Sequence, residues 1–201
     1  KKIISADPAS LVDTPKIHEK AIVRLDVNEM ANFLDAVESG EKLTDRQKVF
    51  HEKTKKRDLA MMTLLLGTGM RVSECVGINI KDLDFQNNAV KVTRKGGNEV
   101  FLYFGEEVRE TLADYLEERQ NALTKDENED ALFLSSQASA SACGRCRIWS
   151  KIRTGRYNQK KSPPHKLRST FGTNLYPGKR GIYYLVADVL GHADVNTTRK
   201  H

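Results

Sequence analysis

The chain is poor in cysteine and has no long apolar run. Its cysteines number three, an odd count that argues against a secreted disulfide framework and favours a reducing, cytoplasmic environment. The longest apolar stretch, 59–66, is far shorter than the roughly 18–20 residues that cross a bilayer. The opening residues KKIISADP contain no apolar segment of the signal-peptide type. We therefore expect no membrane partner.

The composition is that of a globular, basic protein. Of 201 residues, 39% are hydrophobic and 30% charged, which suits one good-sized domain or two very small ones. The formal net charge is +6. A basic domain is more often matched to a polyanion than to an acidic small molecule, although charge alone fits a well-solvated surface equally well.

Apolar periodicity predicts a mainly α fold with a small three-stranded antiparallel sheet. Alternation between Leu83 and Phe104 predicts the strands, with Asn87-Asn88 and 95–98 as their turns. Helical spacing predicts helices at 26–39, 55–67, 72 onward, 105 onward, 165–176, 182–190 and 195–200.

Two charged segments lack periodicity. Residues 1–24 mix prolines and charges, and predict a linker from an absent upstream domain, with the folded domain at 25–201. Residues 41–57 predict a loop with an exposed helical turn. His18 and His51 lie in these segments and are expected to be exposed.

The first motif with chemical potential is TGMRVSE, at 68–74. Arg71 follows a glycine break at a predicted helix start, where backbone N–H groups and a guanidinium together suit a phosphate. Glu74 lies three residues on and could buttress Arg71 on the same helical face. A purely structural Arg–Glu pair explains the motif about as well.

Two histidine motifs follow. His165 and Arg168 share a helical face at i, i+3 spacing, so one could move a proton while the other stabilises charge on an oxygen. His192 follows Leu190-Gly191 at a helix boundary. Each motif alone is weak, because HxxR occurs by chance and a lone histidine is usually a capping or core residue.

The order of these motifs along one domain resembles the tyrosine recombinases, a family that includes phage integrases. TGMRVSE, HKLRSTFGTNLY and LGHADVNTT carry the resemblance, which runs from about Asp26 to the end of the sequence. The RKGGNEV turn looks most like the integrases of conjugative transposons. The implied fold is the family's catalytic domain.

The resemblance implies a site for strand transfer at a DNA phosphate. Arg71 and Arg168 would clamp the scissile phosphate, His192 would donate a further hydrogen bond to it, and Glu74 would orient Arg71. Lys95, on the second turn of the sheet, would protonate the leaving 5′-oxygen. Cationic side chains of this kind can offset charge on a pentacoordinate phosphate without a metal, so no metal or cofactor is expected.

The remaining roles concern the nucleophile. His165 would assist as acid or base, and a tyrosine would attack to form a 3′-phosphotyrosine link. That tyrosine usually lies nine residues after the position of His192, where this chain has His201. We therefore expect no nucleophile within the chain. Either the tyrosine lies at or just after His201, or another residue has replaced it. Lys166 also departs from the family, which is usually acidic there.

The expected partner is duplex DNA with recombination sites. The resemblance further implies a homotetramer on synapsed DNA, integration or excision of a mobile element, and a directionality (excision) factor. Basic residues assigned to DNA contact are Arg94, Arg145, Arg147, Lys151 and Arg153. Cys143 and Cys146 form a CxxC, which we interpret as coincidental because no second ligand pair accompanies it.

Three other interpretations stay open. A DNA-binding module of this fold that has lost cleavage would explain the missing tyrosine. A type IB topoisomerase shares the chemistry but relaxes supercoils without pairing two sites, and its family resembles the TGMRVSE and LGH motifs less. Finally, the motifs could match by accident in an unrelated helical protein.

Overall fold

The computed structural model describes residues 25–41, 43–94, 96–122, 130–134 and 164–174. The predicted mainly helical fold with a small antiparallel sheet is confirmed. The helices are α1 Val27–Ser39, α2 Asp45–Glu52, α3 Lys55–Thr68, α4 Val72–Cys75, α5 Glu106–Ala122 and α6 Pro164–Asn174. The strands are β1 Leu83–Asp84, β2 Ala89–Thr93 and β3 Glu99–Tyr103, and a 3-10 turn, Ile80–Asp82, precedes β1.

Parts of the sequence interpretation lie outside these residues. They are the linker 1–24 with His18, the basic stretch 138–161, and the predicted helices at 182–190 and 195–200. Within the described ranges, every helix is too short or too polar to cross a lipid bilayer.

Helix α3 is the centre of the fold. Its apolar residues are buried nearly all round, and it packs against α1, α5 and α6. Close approach to α5 depends on Gly67, because a Cβ there would come within 2.7 Å of Val108 Cγ2. Since α3 ends at Thr68, three residues before Arg71, this packing fixes where the first arginine motif begins.

The sheet has the order β1-β2-β3, and both pairs are antiparallel. Val90 lies opposite Leu83 on one side and Leu102 on the other, and Val90 and Leu102 are buried in the core. Asn88 has a positive φ of 49°, which makes the predicted turn between β1 and β2. Strand β1 is shorter than the alternation predicts, because its pairing stops before Phe85.

Helix α2 corrects two predictions. Residues 45–52 form a helix, started by a reciprocal capping arrangement between Thr44 and Gln47, where a loop with one helical turn was predicted. The expectation that His51 is exposed is wrong, since only 3% of it is exposed. Its Nε2 lies 3.0 Å from the Glu38 carbonyl oxygen, and its ring packs over Gly40, whose missing side chain leaves room for it.

The segment 131–134 is held in place by α5. The Tyr115 hydroxyl donates to the Leu132 carbonyl and accepts from the Leu134 N–H, both at 3.1 Å. Arg119 Nη2 donates to the Ala131 carbonyl at 2.8 Å. Buried polar groups therefore attach this segment to the helical core.

Candidate active site

The turn before Arg71 is a left-handed helix end. Gly69 caps α3 with φ 62°, and its N–H donates to the Leu65 carbonyl at 3.0 Å. The chain then becomes extended at Arg71, which is the N-cap residue of α4. The glycine break therefore places Arg71 at a helix start, as the sequence predicts.

Glu74 binds Arg71 twice. The Arg71 backbone N–H donates to Glu74 Oε2 at 2.7 Å, and Arg71 Nη1 donates to Oε1 at 2.8 Å. The Glu74 side chain is 4% exposed while that of Arg71 is 39% exposed. A buried carboxylate thus holds a guanidinium that still reaches the surface, which is the arrangement needed to present a charge to a ligand.

Arg168, on α6, reaches the same turn. Its Nη1 donates to the Gly69 carbonyl at 2.6 Å, although 99 residues separate the two. One helical turn later, Phe171 packs so closely on Gly69 that a Cβ built there would overlap its ring. The two arginine motifs, remote in sequence, therefore meet at Gly69.

The electrostatics of Arg168 show that the cluster is rich in positive charge. Burial first, and then the nearby charges of Arg71 and Arg94, lower the pKa of Arg168 to about 10, while Glu74 opposes the shift. The guanidinium stays protonated at neutral pH. Two further arginines and one carboxylate therefore lie within electrostatic reach of Arg168, and a phosphate anion would offset this excess of positive charge.

Arg94 enters this cluster from the end of the β2–β3 hairpin. Its N–H donates to the Asn98 carbonyl at 2.8 Å, and its own carbonyl accepts from the Gly97 N–H at 3.0 Å. Sequence reasoning assigned Arg94 to DNA contact but did not foresee its proximity to Arg168. One sequence feature could have indicated this proximity, namely that Arg94 directly precedes Lys95, a residue already assigned to the site.

The structure places only part of the predicted site. Of the five predicted catalytic residues, it brings Arg71 and Arg168 together. The backbone of His165 lies in α6, but its side chain is outside the described part, as are Lys95 and His192. Also outside it are Arg145, Arg147, Lys151, Arg153, Cys143, Cys146 and His201. The described residues contain no group of three or more His, Cys, Asp or Glu that could hold a metal ion.

Comparison with known proteins decides the family. Residues 23–201 match the model of the phage integrase family. The chain belongs to this family. The predicted resemblance to tyrosine recombinases is thereby confirmed, and the cluster around Gly69 lies within the matched region.

Relatives of this phage integrase family chain are named tyrosine recombinases. It is 35% identical over 176 residues to tyrosine recombinase XerS of Streptococcus uberis, covering 85% of this chain and 49% of the relative. It is 30% identical over 203 residues to tyrosine recombinase XerD of Staphylococcus epidermidis, covering 98% of this chain and 63% of the relative. The chain thus spans about half to two thirds of the length of these relatives.

Solved structures agree on the fold of this phage integrase family member. The XerA recombinase superposes with a TM-score of 0.69 at 28% identity, over 93% of this chain and 61% of that one. The XerH site-specific recombinase, bound to difH substrate in a pre-cleavage complex, gives 0.66 at 26%, over 88% and 49%. The Tn1549 transposon integrase with circular intermediate DNA gives 0.60 at 20%, over 96% and 64%, and shows the fold alone.

Proposed function

We propose that this phage integrase family chain is the catalytic domain of a tyrosine-type site-specific DNA recombinase. It cuts and rejoins strands through a 3′-phosphotyrosine intermediate, for integration or excision of a mobile element. The observation that carries the proposal is the meeting of Arg71 and Arg168 at one turn, with buried Glu74 holding Arg71. Two adjacent guanidiniums suit the non-bridging oxygens of a phosphodiester, whose charge grows as the nucleophile adds.

Proton transfers complete the proposed reaction. A tyrosine at or just after His201 attacks phosphorus, and its proton passes to His165 acting as base. The bond from phosphorus to the 5′-oxygen breaks, and Lys95 gives that oxygen a proton. His192 donates a hydrogen bond to the phosphate. The phosphotyrosine bond retains the energy of the broken one, so rejoining needs no ATP, metal or cofactor.

Duplex DNA with recombination sites is the proposed substrate. A positively charged cluster supplies salt-dependent affinity for the backbone, and the basic residues proposed to extend it are Arg94, Arg145, Arg147, Lys151 and Arg153. The chain at 25–201 would be the catalytic domain and 1–24 its linker. It would act as a homotetramer on paired sites in the cytoplasm, with a directionality factor.

Covalent trapping tests the proposal. A longer version of the chain that continues past His201 is mixed with nicked duplexes taken from the DNA flanking its coding sequence. We expect a protein–DNA complex that survives denaturation. Arg168→Ala should reduce its formation by about 10²–10³-fold, the usual cost of removing one transition-state donor. Arg109→Ala, which removes an exposed arginine that pairs with Glu106 on α5, is the matched control.

The same experiment separates the other interpretations. Salt-dependent DNA binding without a covalent product would identify a DNA-binding module that lacks cleavage. Relaxation of supercoiled plasmid without a specific site would identify a type IB topoisomerase. An Arg168→Ala variant that traps DNA as well as the parent would contradict the proposed mechanism.

A further inference from the structure

Two residues of α6 grip the turn at Gly69. Arg168 donates to its carbonyl at 2.6 Å, and Phe171, one helical turn along, packs against its α-carbon. The two contacts are of different kinds, since one is a charge-assisted hydrogen bond and the other is van der Waals packing. Together they fix both the distance and the orientation of α6 relative to the turn.

Gly69 meets two requirements at this point. Its φ of 62° lies in the left-handed region, which a residue with a side chain enters only at a cost. Its α-carbon also has no room for a methyl group, because the ring of Phe171 occupies that space. Asparagine would satisfy the first requirement and violate the second, so glycine alone meets both.

The turn leads straight to Arg71. Met70, between the two, is buried, and the next residue is anchored by Glu74 through its backbone and its guanidinium. A shift of Gly69 would therefore move one arginine through the chain and the other through the carbonyl that binds it.

A separate attachment keeps α6 on the domain. The Leu25 N–H donates to the Thr170 hydroxyl at 3.0 Å, and Thr170 is fully buried. Helix α6 also packs along α3. Loosening the Gly69 contact is thus expected to misplace Arg168 without releasing the helix.

We propose that Gly69 is a positioning residue, whose carbonyl aims Arg168 and whose bare α-carbon seats Phe171, so that Arg71 and Arg168 share one phosphate. The inference rests on the proposed function. The Gly69 carbonyl would orient Arg168 in the way that the Glu74 carboxylate orients Arg71. A guanidinium with one N–H engaged by a fixed acceptor loses rotational freedom, and this preorganises the group for the ligand.

Inorganic phosphate is the probe. Its dissociation constant is measured on the chain at constant ionic strength, from the NMR shifts of the guanidinium Nε–H groups of Arg71 and Arg168. Gly69→Ala is expected to weaken phosphate binding at least about tenfold, because misplacement of a ligand group costs far more than its distance suggests. Adding Phe171→Ala, which removes the overlap, is expected to restore binding to within about threefold of the parent. Phe171→Ala alone loses the packing but keeps the hydrogen bond from Arg168 to the Gly69 carbonyl, so it should weaken phosphate binding by no more than about threefold, less than Gly69→Ala does.

A backbone ester covers the case in which Gly69→Ala fails to fold. Replacing Met70 by its α-hydroxy analogue makes the Gly69 carbonyl a weaker acceptor and adds no atoms. We expect phosphate binding to weaken by about threefold or more, while the same replacement of Met62, inside α3, lowers stability but leaves phosphate binding unchanged. The comparison separates a positioning role from a merely structural one.

The outcomes distinguish failure of the proposed function from failure of the positioning role of Gly69. A parent chain that does not bind phosphate, or an Arg168→Ala variant that binds it equally well, would overturn the proposed function and this inference with it. A parent that binds, combined with a folded Gly69→Ala or a Met70 ester that binds equally well, would overturn the positioning role alone.

Discussion

The guanidinium of Arg57 reaches the main-chain carbonyl of Leu134, 77 residues further along the chain, with an Nη1–O distance of 2.8 Å. Arg57 and Asp58 are both buried, and their side chains pair at 2.5 Å. The Thr54 hydroxyl donates to the second oxygen of Asp58 at 3.2 Å. This buried polar group therefore fastens α3 to the segment 131–134.

Arg57→Ala should destabilise the domain by about 3–5 kcal/mol, because it leaves the Asp58 carboxylate buried without its counter-charge. The free energy of unfolding in urea measures the effect. The control is Arg57→Met with Asp58→Leu, which removes both charges and should cost much less. A loss below about 1 kcal/mol for Arg57→Ala would show that water reaches the carboxylate.

Gly40→Ala should be more damaging than its backbone conformation alone explains. Gly40 has φ 64°, and a Cβ there would lie 2.6 Å from the His51 ring. Gly97 also has positive φ, 85°, but a Cβ there would meet no atom within 4 Å. We expect about 1–2 kcal/mol for Gly97→Ala from backbone strain and a clearly larger loss for Gly40→Ala. Equal losses in urea unfolding would contradict tight packing of His51.

Cys75 should make the domain sensitive to alkali. Burial, and then the nearby charge of Glu74, raise the pKa of its thiol far above the usual range. Above pH about 8.5 the unfolded thiol ionises but the native one does not. Its contribution to stability is therefore complete below that pH and is lost as pH rises, by up to about 1.4 kcal/mol per pH unit.

The Cys75 prediction is checked by urea unfolding between pH 7.5 and 9.5. Cys143→Ser and Cys146→Ser are present throughout, so that Cys75 is the one thiol that titrates. Adding Cys75→Ala should flatten the decline across this range. A decline that is equally steep with and without Cys75 would assign the alkali sensitivity to other groups.

Arg71→Ala should weaken DNA binding uniformly across sequences. In the proposed function Arg71 contacts one phosphate, and losing that contact should make the slope of log affinity against log salt shallower by about 1. Fluorescence anisotropy with duplexes of two unrelated sequences, at several salt concentrations, measures it. Arg109→Ala should leave the slope unchanged. A sequence-dependent loss would instead point to a base contact.

Periodicity predicts the frame of this domain well. Helix α3, the sheet and α5 follow from apolar spacing, because each has one face or all of its surface in the core. Helix α2 was not predicted, because its residues are mostly polar and show no apolar spacing. The capping residues Thr44 and Gln47 were the only local signal for it. The short β1 depends on where pairing with β2 stops, which no local pattern specifies.

Buried charges and remote contacts were beyond sequence reasoning. No local pattern indicates that Arg57 and Asp58 are buried, because a charged side chain is seldom buried without a partner and the Leu134 carbonyl that binds Arg57 is distant in sequence. The resemblance to tyrosine recombinases implied that Arg71 and Arg168 converge on one phosphate. The carbonyl of Gly69 that joins them carries no side-chain signature, so only coordinates reveal it.

The hydrogen bond between Leu25 and Thr170 has a mechanical consequence. It joins residues 145 positions apart, so the point where the chain enters the described fold is tied to the helix that bears Arg168. Tension on the polypeptide ahead of Leu25 would act on α1 through the chain and on α6 through this hydrogen bond. A domain joined upstream of Leu25 would therefore be coupled to Arg168 through a single hydrogen bond and one helix. Removing α6 would also release Leu25 from this contact.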